Sequence, residues 1–320
     1  MNIVVIGCGV SGLTTGLRLL QAGYAVSIWA RDLPPHTTSN VAAAVWYPYK
    51  AYPTDKVTAW SAEAYRVFKQ FQSVADSGVI MASVLEVKRA LSPDPWWATA
   101  VEHVRHARSD ELPPGYADGY VFTAPVIDTS IYLDYLMRIF QSQGGQIVQR
   151  TVVDLAEAFA QSTVVVNCSG LGARELVHDV DLYPSRGQIV RIRHNGFRRV
   201  LLDDEIPGQV SYIVPRTHDI VLGGTDQEHN ESTAISADDT QAILRGCAKL
   251  APEFAVITAA DILDVVCGLR PVRTTVRVEG ERPTPERLLI HNYGHGGAGI
   301  TLSWGCAAEV VALVQTNAPV

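Results

Sequence analysis

The most constraining feature of this 320-residue chain is a glycine loop near its N-terminus, between a short apolar run and a helical pattern. Residues 2–6 read NIVVI, and Gly7, Gly9 and Gly12 follow directly. A second apolar run, residues 25–30, comes after the helical segment and completes a β-loop-α-β unit. Because such a unit buries its strands under helices, it predicts a parallel sheet and an α/β fold.

The same loop predicts a nucleotide site. Its glycines have the spacing of a dinucleotide fingerprint, and the unpaired N–H groups that open the next helix attract phosphate. The predicted cradle comprises Gly7, Gly9, Val10, Ser11 and Gly12. Asp32 follows Gly12 by twenty residues, where an acid binds the adenosine ribose. Arg31 could take that contact instead, and a tight turn without a ligand is the remaining alternative.

A second glycine-rich segment lies near the other end of the chain, in residues 291–307, HNYGHGGAGITLSWGCA. Four glycines fall within six positions, directly before a helical run. This junction can also hold an anion or a partly negative ring edge against backbone N–H groups. Two backbone-lined sites at opposite ends of one chain predict one large cofactor held between them.

Three further features are candidates for the site. Residues 37–44 place hydroxyls and small side chains after the second strand; the alternative is a helix start capped by Ser39 or Asn40. Arg270 has the parity of apolar neighbours, and a buried guanidinium fits a substrate carboxylate or a protein acid. Tyr212 lies in a β pattern, where a core role is the alternative.

Composition excludes several classes of protein. The 47% hydrophobic residues indicate a globular protein, and the net charge of −7 favours neither nucleic acid nor an anionic membrane surface as a partner. No apolar run approaches the roughly 20 residues that cross a bilayer. Five scattered cysteines indicate reduced thiols, which predicts a cytoplasmic protein. The nine histidines show no metal-ligand spacing, so no metal site is expected.

These motifs occur together in one known family. The matching segments are GCGVSGL (7–13), TTSNVAAAVWYPY (37–49), NCSGLGA (167–173), SRGQIV (185–190), YIVPR (212–216), LGGT (222–225), GLRPVR (268–273) and the glycine-rich segment 291–307. In this order and over nearly the whole chain, they resemble the flavin-dependent D-amino-acid oxidases. The last segment is close to a signature of that family and is more specific than the first loop.

The resemblance implies two domains. A Rossmann-like FAD-binding domain would comprise residues 1–50, 140–186 and 262–320. A substrate domain built on a mixed β-sheet would comprise residues 51–139 and 187–261. The fold class is therefore α/β, and the expected cofactor is FAD.

The resemblance also implies residue roles. Arg270 would clamp the substrate α-carboxylate, the Tyr212 hydroxyl would assist it, and the Gly297 carbonyl would accept from the α-amino group. Beyond the first loop, the implied FAD contacts are Arg31, Asp32, Thr37, Thr38, Ser39, Ala43, Ala44, Val152, Ser169, Gly296, Gly299, Ile300 and Thr301.

Two departures from the family concern the substrate pocket. Tyr47 replaces a glutamine of vertebrate members and would narrow or cap the pocket. Asp226 occupies the place where D-aspartate oxidases carry an arginine. If Asp226 lines the pocket, like charges disfavour D-aspartate and a cationic side chain gains; alternatively, Asp226 faces water at a hairpin end.

The expected activity is oxidative deamination of neutral D-amino acids, with basic ones added if Asp226 lines the pocket. Hydride transfer to FAD would give a 2-oxo acid, ammonia and hydrogen peroxide, so the expected partners are a D-amino acid and O2. No nucleic acid or membrane partner is expected, and a homodimer is left open. The alternative is a glycine or sarcosine-type amine oxidase of the same fold. An NAD-dependent dehydrogenase would leave the last glycine segment without a role.

Overall fold

Fourteen strands join one mixed sheet in the computed structural model, which describes residues 1–206 and 208–318. The strands are β1 (Asn2–Ile6), β2 (Ala25–Ala30), β3 (Val79–Lys88), β4 (Arg105–His106), β5 (Asp118–Ile127), β6 (Gln146–Gln149), β7 (Val164–Asn167), β8 (Tyr183–Arg193), β9 (Val200–Ile206), β10 (Gln209–Pro215), β11 (Asp219–Thr225), β12 (Gln227–Glu228), β13 (Ile262–Thr284) and β14 (Arg287–His295). The helices are α1 (Val10–Gln21), α2 (Thr38–Val41), α3 (Thr54–Phe71), α4 (Thr129–Ser142), α5 (Leu155–Phe159), α6 (Ala173–Leu176), α7 (Ala237–Leu250) and α8 (Gly299–Asn317).

One end of the sheet is parallel. Here β14, β7, β1, β2 and β6 lie side by side, and each pairs with its neighbour in parallel register. The apolar strands β1 and β7 are buried on both faces, as their nearly continuous hydrophobic sequences predict. The five strands come from both ends and the middle of the chain. The predicted α/β class with a Rossmann-like part is confirmed, whereas the exact domain boundaries stay a prediction.

The other end of the sheet is mixed. The central strand β8 pairs antiparallel with β11 and β13. The hairpin β10–β11 turns between Pro215 and Asp219, where the sequence predicts a turn between the apolar runs YIV and IVL. At the far edge, β3 pairs parallel with β9 and antiparallel with β5. The ten-residue strand β5 ends a stretch, residues 93–128, that the sequence predicts as loops and short strands. That prediction is wrong for β5, since pairing along its whole length with β3 outweighs its glycine and proline.

Strand β13 joins the two ends of the sheet. The sequence predicts separate strands near 260–267 and 272–279, but the structure has one continuous strand of 23 residues. Its first half pairs with β8 through Val272, and its second half pairs with β14. Because a neighbour is available on each side in turn, the strand continues through Pro271 despite the missing N–H.

Helix α8 lies in the middle of the core beneath the parallel strands. It packs against α1 and α3, and the Trp304 indole donates to the Tyr132 hydroxyl at 2.8 Å. Within the stretch Gly296–Asn317 the most apolar window has a mean hydropathy of 1.5, so this helix is long and apolar enough by composition to cross a membrane. The expectation that no run reaches this length is therefore wrong. Since 61% of the most apolar window is buried inside the protein, the apolar composition here reflects a core helix.

The contact between α3 and α8 depends on Gly305, because a Cβ there would lie 2.2 Å from the Trp60 carbonyl oxygen. We expect Gly305→Val to lower the free energy of unfolding by about 1–3 kcal/mol, since the helices must separate. Ala312→Val, on an exposed position of the same helix, is the matched control for β-branching. Urea denaturation measures both, and equal losses would contradict the close helix contact.

Candidate active site

A cavity of about 1040 Å³ runs between the parallel and mixed parts of the sheet. It is as large as the sites that bind sizeable organic ligands. The predicted site residues that line it are Gly7, Gly9, Val10, Ser11, Arg31, Asp32, Thr37, Thr38, Ser39, Ala43, Ala44, Tyr47, Val152, Ser169, Tyr212, Arg270, Gly296, Gly297, Gly299, Ile300 and Thr301. Two predicted residues, Gly12 and Asp226, do not line the cavity.

The first glycine loop forms one end of this cavity. Gly7 has a φ of 109°, and a Cβ there would lie 2.4 Å from the Cys168 carbonyl oxygen. A Cβ on Gly12 would lie 1.9 Å from the Gly7 carbonyl oxygen. Gly12 therefore allows α1 to pack beneath the loop and is a packing residue of the cradle rather than a lining residue. Helix α1 begins at Val10 and has no acidic side chain in its first turn that would repel an anion from its N-terminus.

The segment after β2 forms the rim of the same end. The predicted caps of its helix, Ser39 and Asn40, are wrong: Thr37 is the N-cap of α2, and its hydroxyl donates to Asn40 Oδ1 at 2.7 Å. Ser39 instead accepts from the Val10 N–H at 3.1 Å. Arg31 and Asp32 pair with each other at 2.8 Å on the exposed rim, so the choice between them as a ribose contact stays open.

The last glycine segment forms the middle of the cavity wall. Strand β14 ends at His295, a short turn spans Gly296–Ala298, and α8 begins at Gly299. The first residues of α8, Gly299, Ile300 and Thr301, line the cavity, so the positive end of this helix faces it. The Thr301 hydroxyl donates to the Tyr47 carbonyl at 3.0 Å and accepts from the Tyr47 N–H at 3.1 Å. Because the Thr301 hydroxyl makes both of these hydrogen bonds with the Tyr47 backbone, we expect Thr301 to contact a cofactor through its own backbone.

His295 orders this segment from within. It is buried, and its Nε2 lies 3.0 Å from Asn292 Oδ1. Asn292 in turn donates to the Thr15 hydroxyl of α1 at 3.0 Å. Burial lowers the pKa of His295 to about 4, so the ring is neutral near pH 7. These contacts tie the last glycine segment to the helix that follows the first one.

The Arg270 guanidinium lies against strand β8 at Gly187, a position that has no side chain. A Cβ on the neighbouring Gly187 would lie 2.5 Å from both terminal nitrogens of the guanidinium. One of these nitrogens donates to the Thr225 carbonyl at 2.9 Å. A Cβ on Gly297 would lie 3.7 Å from Arg270 Cδ, which places this glycine beside the arginine. The arrangement directs a partly buried guanidinium into the cavity.

Tyr212 is placed in the same way. A Cβ on Gly223 of the paired strand would lie 1.8 Å from the ring carbon Cζ, so the ring covers this glycine. Burial raises the pKa of Tyr212, although the adjacent Arg270 guanidinium opposes the rise. The hydroxyl therefore stays protonated near neutral pH and can donate. Arg270 and Tyr212 form a pair of donors at one end of the cavity.

Asp226 lies behind Arg270, neither in the cavity nor facing water. Its side chain is 3% exposed, and one oxygen is 3.7 Å from the guanidinium. It accepts from Lys50 at 2.5 Å, from Tyr49 at 2.8 Å and from Ser185 at 2.5 Å. Burial alone would raise the pKa of Asp226, but these hydrogen bonds hold it below its usual range. The expectation that Asp226 lines the pocket and its alternative, that Asp226 faces water, are both wrong. The segment around Lys50 covers the hairpin end.

Tyr47 closes the far side of the Arg270 end of the cavity. Its hydroxyl lies 2.8 Å from Glu86 Oε1 and 2.9 Å from Asp204 Oδ2. Lys88 contacts the same two carboxyl groups, at 2.6 Å and 3.2 Å. Burial raises the pKa of Glu86 to about 6 even though the Lys88 ammonium opposes it. Tyr47 thus brings a cluster of charged groups to the wall of the cavity.

Sequence reasoning missed several residues of this end. Gly187 lies in the segment SRGQIV and Gly223 in LGGT, and glycines inside a predicted strand are a signal for close approach of another group. Tyr49 and Asp204 carry no comparable signal. Asp204 is one of three consecutive acids at the end of a strand, and only the folded sheet turns it toward the cavity.

Comparison with known proteins agrees with this geometry. The profile of the family described as FAD dependent oxidoreductase matches residues 2–313. A D-amino-acid oxidase of Dictyostelium discoideum is 46% identical over all of this chain and 93% of its own length. One from Rubrobacter xylanophilus is 46% identical over 97% of this chain and 94% of its own. A glycine oxidase from Geobacillus kaustophilus has the same fold, with a TM-score of 0.80 and 18% identity over 98% of this chain and 94% of its own.

The chain therefore belongs to the FAD dependent oxidoreductases, and its resemblance to the D-amino-acid oxidases is confirmed. Its cofactor is FAD. The cavity fits this cofactor: one end is a cradle that side chains at Gly7 and Gly12 would destroy, and the α8 N-terminus faces the middle. An elongated molecule with an anionic pyrophosphate and a partly negative ring edge has donors for both parts.

The stability of the protein should depend on pH through His295. Its folded pKa of about 4 lies below the ordinary value of 6.5, so the unfolded chain binds an extra proton between these values. The contribution of His295 to the free energy of unfolding is therefore fully present above pH 6.5. This free energy should fall by about 2–3 kcal/mol as the pH drops to 4. We expect His295→Gln to flatten this part of the curve, whereas His218→Gln, on an exposed turn, should not. Urea unfolding across this range measures it, and equal slopes for all three proteins would exclude His295.

Proposed function

We propose that the protein is an FAD-dependent D-amino-acid oxidase, which converts a D-amino acid, oxygen and water into a 2-oxo acid, ammonia and hydrogen peroxide. Bound FAD supplies the acceptor for the hydride that leaves the α-carbon. The names and 46% identity of the two relatives support this activity. The roles of individual residues are argued from the described site.

The observation that carries the proposal is the convergence of Arg270, Tyr212 and Gly297 at one end of the cavity. The planar guanidinium matches a carboxylate with two parallel hydrogen bonds. The Tyr212 hydroxyl adds a donor to the same carboxylate, and the Gly297 carbonyl is an acceptor for the α-amino group. Together they would fix two substituents of the α-carbon, the carboxylate and the amino group, which restricts the direction in which its hydrogen points.

Substrate binding of this kind requires little reorganisation of the protein. Arg270 is held from behind by the Thr225 carbonyl and the Asp226 carboxylate, and Asp226 is itself held by Lys50. The donors are therefore oriented before the substrate arrives, which is the condition for electrostatic catalysis. The chemistry then depends on positioning, and the amine must lose its extra proton before the hydride leaves.

The second candidate is a glycine or sarcosine-type amine oxidase, which the shared fold of the Geobacillus enzyme keeps open. The cavity continues beyond Arg270, where Leu202, Val210 and Asp204 line it. A substrate without a side chain would leave this space unfilled. The shape therefore favours an amino acid with a side chain over glycine. The predicted cytoplasmic location and the homodimer stay predictions.

One experiment separates these activities. The purified protein with bound FAD is mixed without oxygen with D-norleucine, L-norleucine, glycine or sarcosine, and the visible flavin absorbance is followed. We expect bleaching with D-norleucine and little with its L enantiomer, because Arg270 and Gly297 fix the carboxylate and amine in one order. Faster bleaching with glycine or sarcosine would favour the second candidate. Bleaching with none of the four would identify a flavin-binding module without this activity.

Replacement of Arg270 tests the carboxylate clamp. We expect Arg270→Ala to lower kcat/KM for D-norleucine at least about 100-fold, a loss of about 2.7 kcal/mol, because the substrate loses a bidentate ion pair. FAD content should stay that of the parent protein. Arg282→Ala, an exposed arginine of the same strand, should change kcat/KM little. Turnover of Arg270→Ala equal to that of Arg282→Ala would remove Arg270 from the site.

Replacement of Gly187 tests how the clamp is oriented. An alanine Cβ at this position would overlap the guanidinium, so we expect Gly187→Ala to displace Arg270 and to raise KM about tenfold or more. Gly280→Ala is the matched control, because a Cβ there meets ordinary contacts at 3.5 Å and beyond. Steady-state kinetics and flavin absorbance measure the effect. An unchanged KM in Gly187→Ala would show that Arg270 does not need this surface.

A further inference from the structure

A second cavity of about 210 Å³ adjoins the Arg270 end of the main cavity. Tyr47, Tyr49 and Asp204 line both cavities, so these side chains form the boundary between them. The second cavity, here called the side cavity, is otherwise lined largely by aromatic rings, among them Trp96 and Trp97. A long side chain that extends from a substrate held at Arg270 would therefore meet Asp204 at this boundary, beside the aromatic rings.

The charges around the boundary are mostly negative. The four carboxyl groups are Glu86, Asp204, Asp226 and Glu228, against the two ammonium groups Lys50 and Lys88. Each ammonium group is already held between two carboxylates. Lys50 lines the side cavity, but its Nζ lies 2.5 Å from Asp226 and 3.1 Å from Glu228. Arg270 is committed to the substrate carboxylate, so an excess of negative charge remains for the side chain.

Asp204 is the carboxylate of this group that has room for another partner. One of its oxygens accepts from Lys88 at 3.2 Å and the other from Tyr47 at 2.9 Å. A carboxylate offers about four acceptor positions, which leaves about two of them for a ligand. The Asp204 side chain is 19% exposed and lines both cavities, whereas that of Asp226 is 3% exposed and lines neither.

We propose that Asp204 binds the cationic end of a basic D-amino acid side chain, at the boundary between the main and side cavities. The inference rests on the proposed oxidase activity and assigns to it a preferred substrate class, D-lysine and D-arginine. The ammonium or guanidinium group would pair with the free acceptor positions of Asp204. The rings of Tyr47, Tyr49 and Trp97 would face the cation and replace part of its hydration.

The same charges disfavour an acidic side chain. A substrate carboxylate at this position would face Asp204 without a free cation, because Lys88 and Lys50 are both paired. A neutral chain of equal length would meet the aromatic rings but would leave Asp204 without a new partner. The expected order of specificity is therefore basic, then neutral, then acidic, at equal chain length.

The test uses the FAD-loaded protein and three D-amino acids of similar length. The side chain of D-lysine ends in an ammonium group, that of D-norleucine is uncharged, and that of D-2-aminoadipate ends in a carboxylate. We expect kcat/KM of the unsubstituted protein to be highest for D-lysine and lowest for D-2-aminoadipate. The ratio of kcat/KM for D-lysine to that for D-norleucine should fall about tenfold in Asp204→Asn. Glu228→Gln removes a nearby carboxylate outside both cavities, and this ratio should change less than about twofold.

The outcomes separate this inference from the proposed function. Oxidation of D-norleucine with an unchanged ratio in Asp204→Asn would overturn the role of Asp204 and leave the oxidase activity in place. Equal losses for both substrates would also overturn it, since Asp204 would then position Tyr47 rather than bind the side chain. If Asp204→Asn loses FAD or unfolds, a D-norleucine preference in the unsubstituted protein overturns the inference by itself. Bleaching by none of the D-amino acids would remove both proposals.

Discussion

Strand β13 is the constraint on which the site depends, because it is hydrogen-bonded into both ends of the sheet. Its first half lies beside β8 and carries Arg270, while its second half lies beside β14, which leads into the last glycine segment. A change in either ladder would therefore move Arg270 relative to the α8 N-terminus. The cavity between the two parts keeps its dimensions because one continuous backbone crosses it.

Close packing of two side chains against glycine backbone determines where the hydrogen-bond donors of Arg270 and Tyr212 lie. Arg270 rests on Gly187 and the Tyr212 ring on Gly223, both on strands adjacent to their own. A Cβ at either glycine would occupy the space of the functional group. The same principle forms the first loop, where Gly12 allows α1 to approach Gly7. Missing side chains thus serve two purposes here: they open the glycine loop at one end of the cavity, and they let the Arg270 and Tyr212 side chains lie against the backbone at the other.

Much of this arrangement is predictable from the sequence. The β-loop-α-β unit follows from local spacing and is present in the structure, with the glycine loop around Gly7 lining the cavity. The parity of Arg270 does not set it apart, because Leu269 and Pro271 line the same cavity. The full length of strand β13 is harder to predict from the sequence, because Pro271 interrupts its pattern. Only pairing with its two neighbouring strands makes it continuous. Asp226 is the clearest error: the hairpin suggests a pocket or solvent position, but Lys50, 176 residues earlier, covers it.

The sequence by itself determined the class of fold and a nucleotide-binding loop, since glycine spacing and hydrophobic periodicity are local and survive without tertiary contacts. The choice of FAD came from the family resemblance of the motifs taken together. Only the tertiary structure decided which carboxylate is buried behind Arg270 and which borders the cavity. The reason is that exposure and pairing depend on elements far apart in the chain. Asp204 and Asp226 are equivalent acids in the sequence, and packing against Tyr47 and Lys50 makes them different.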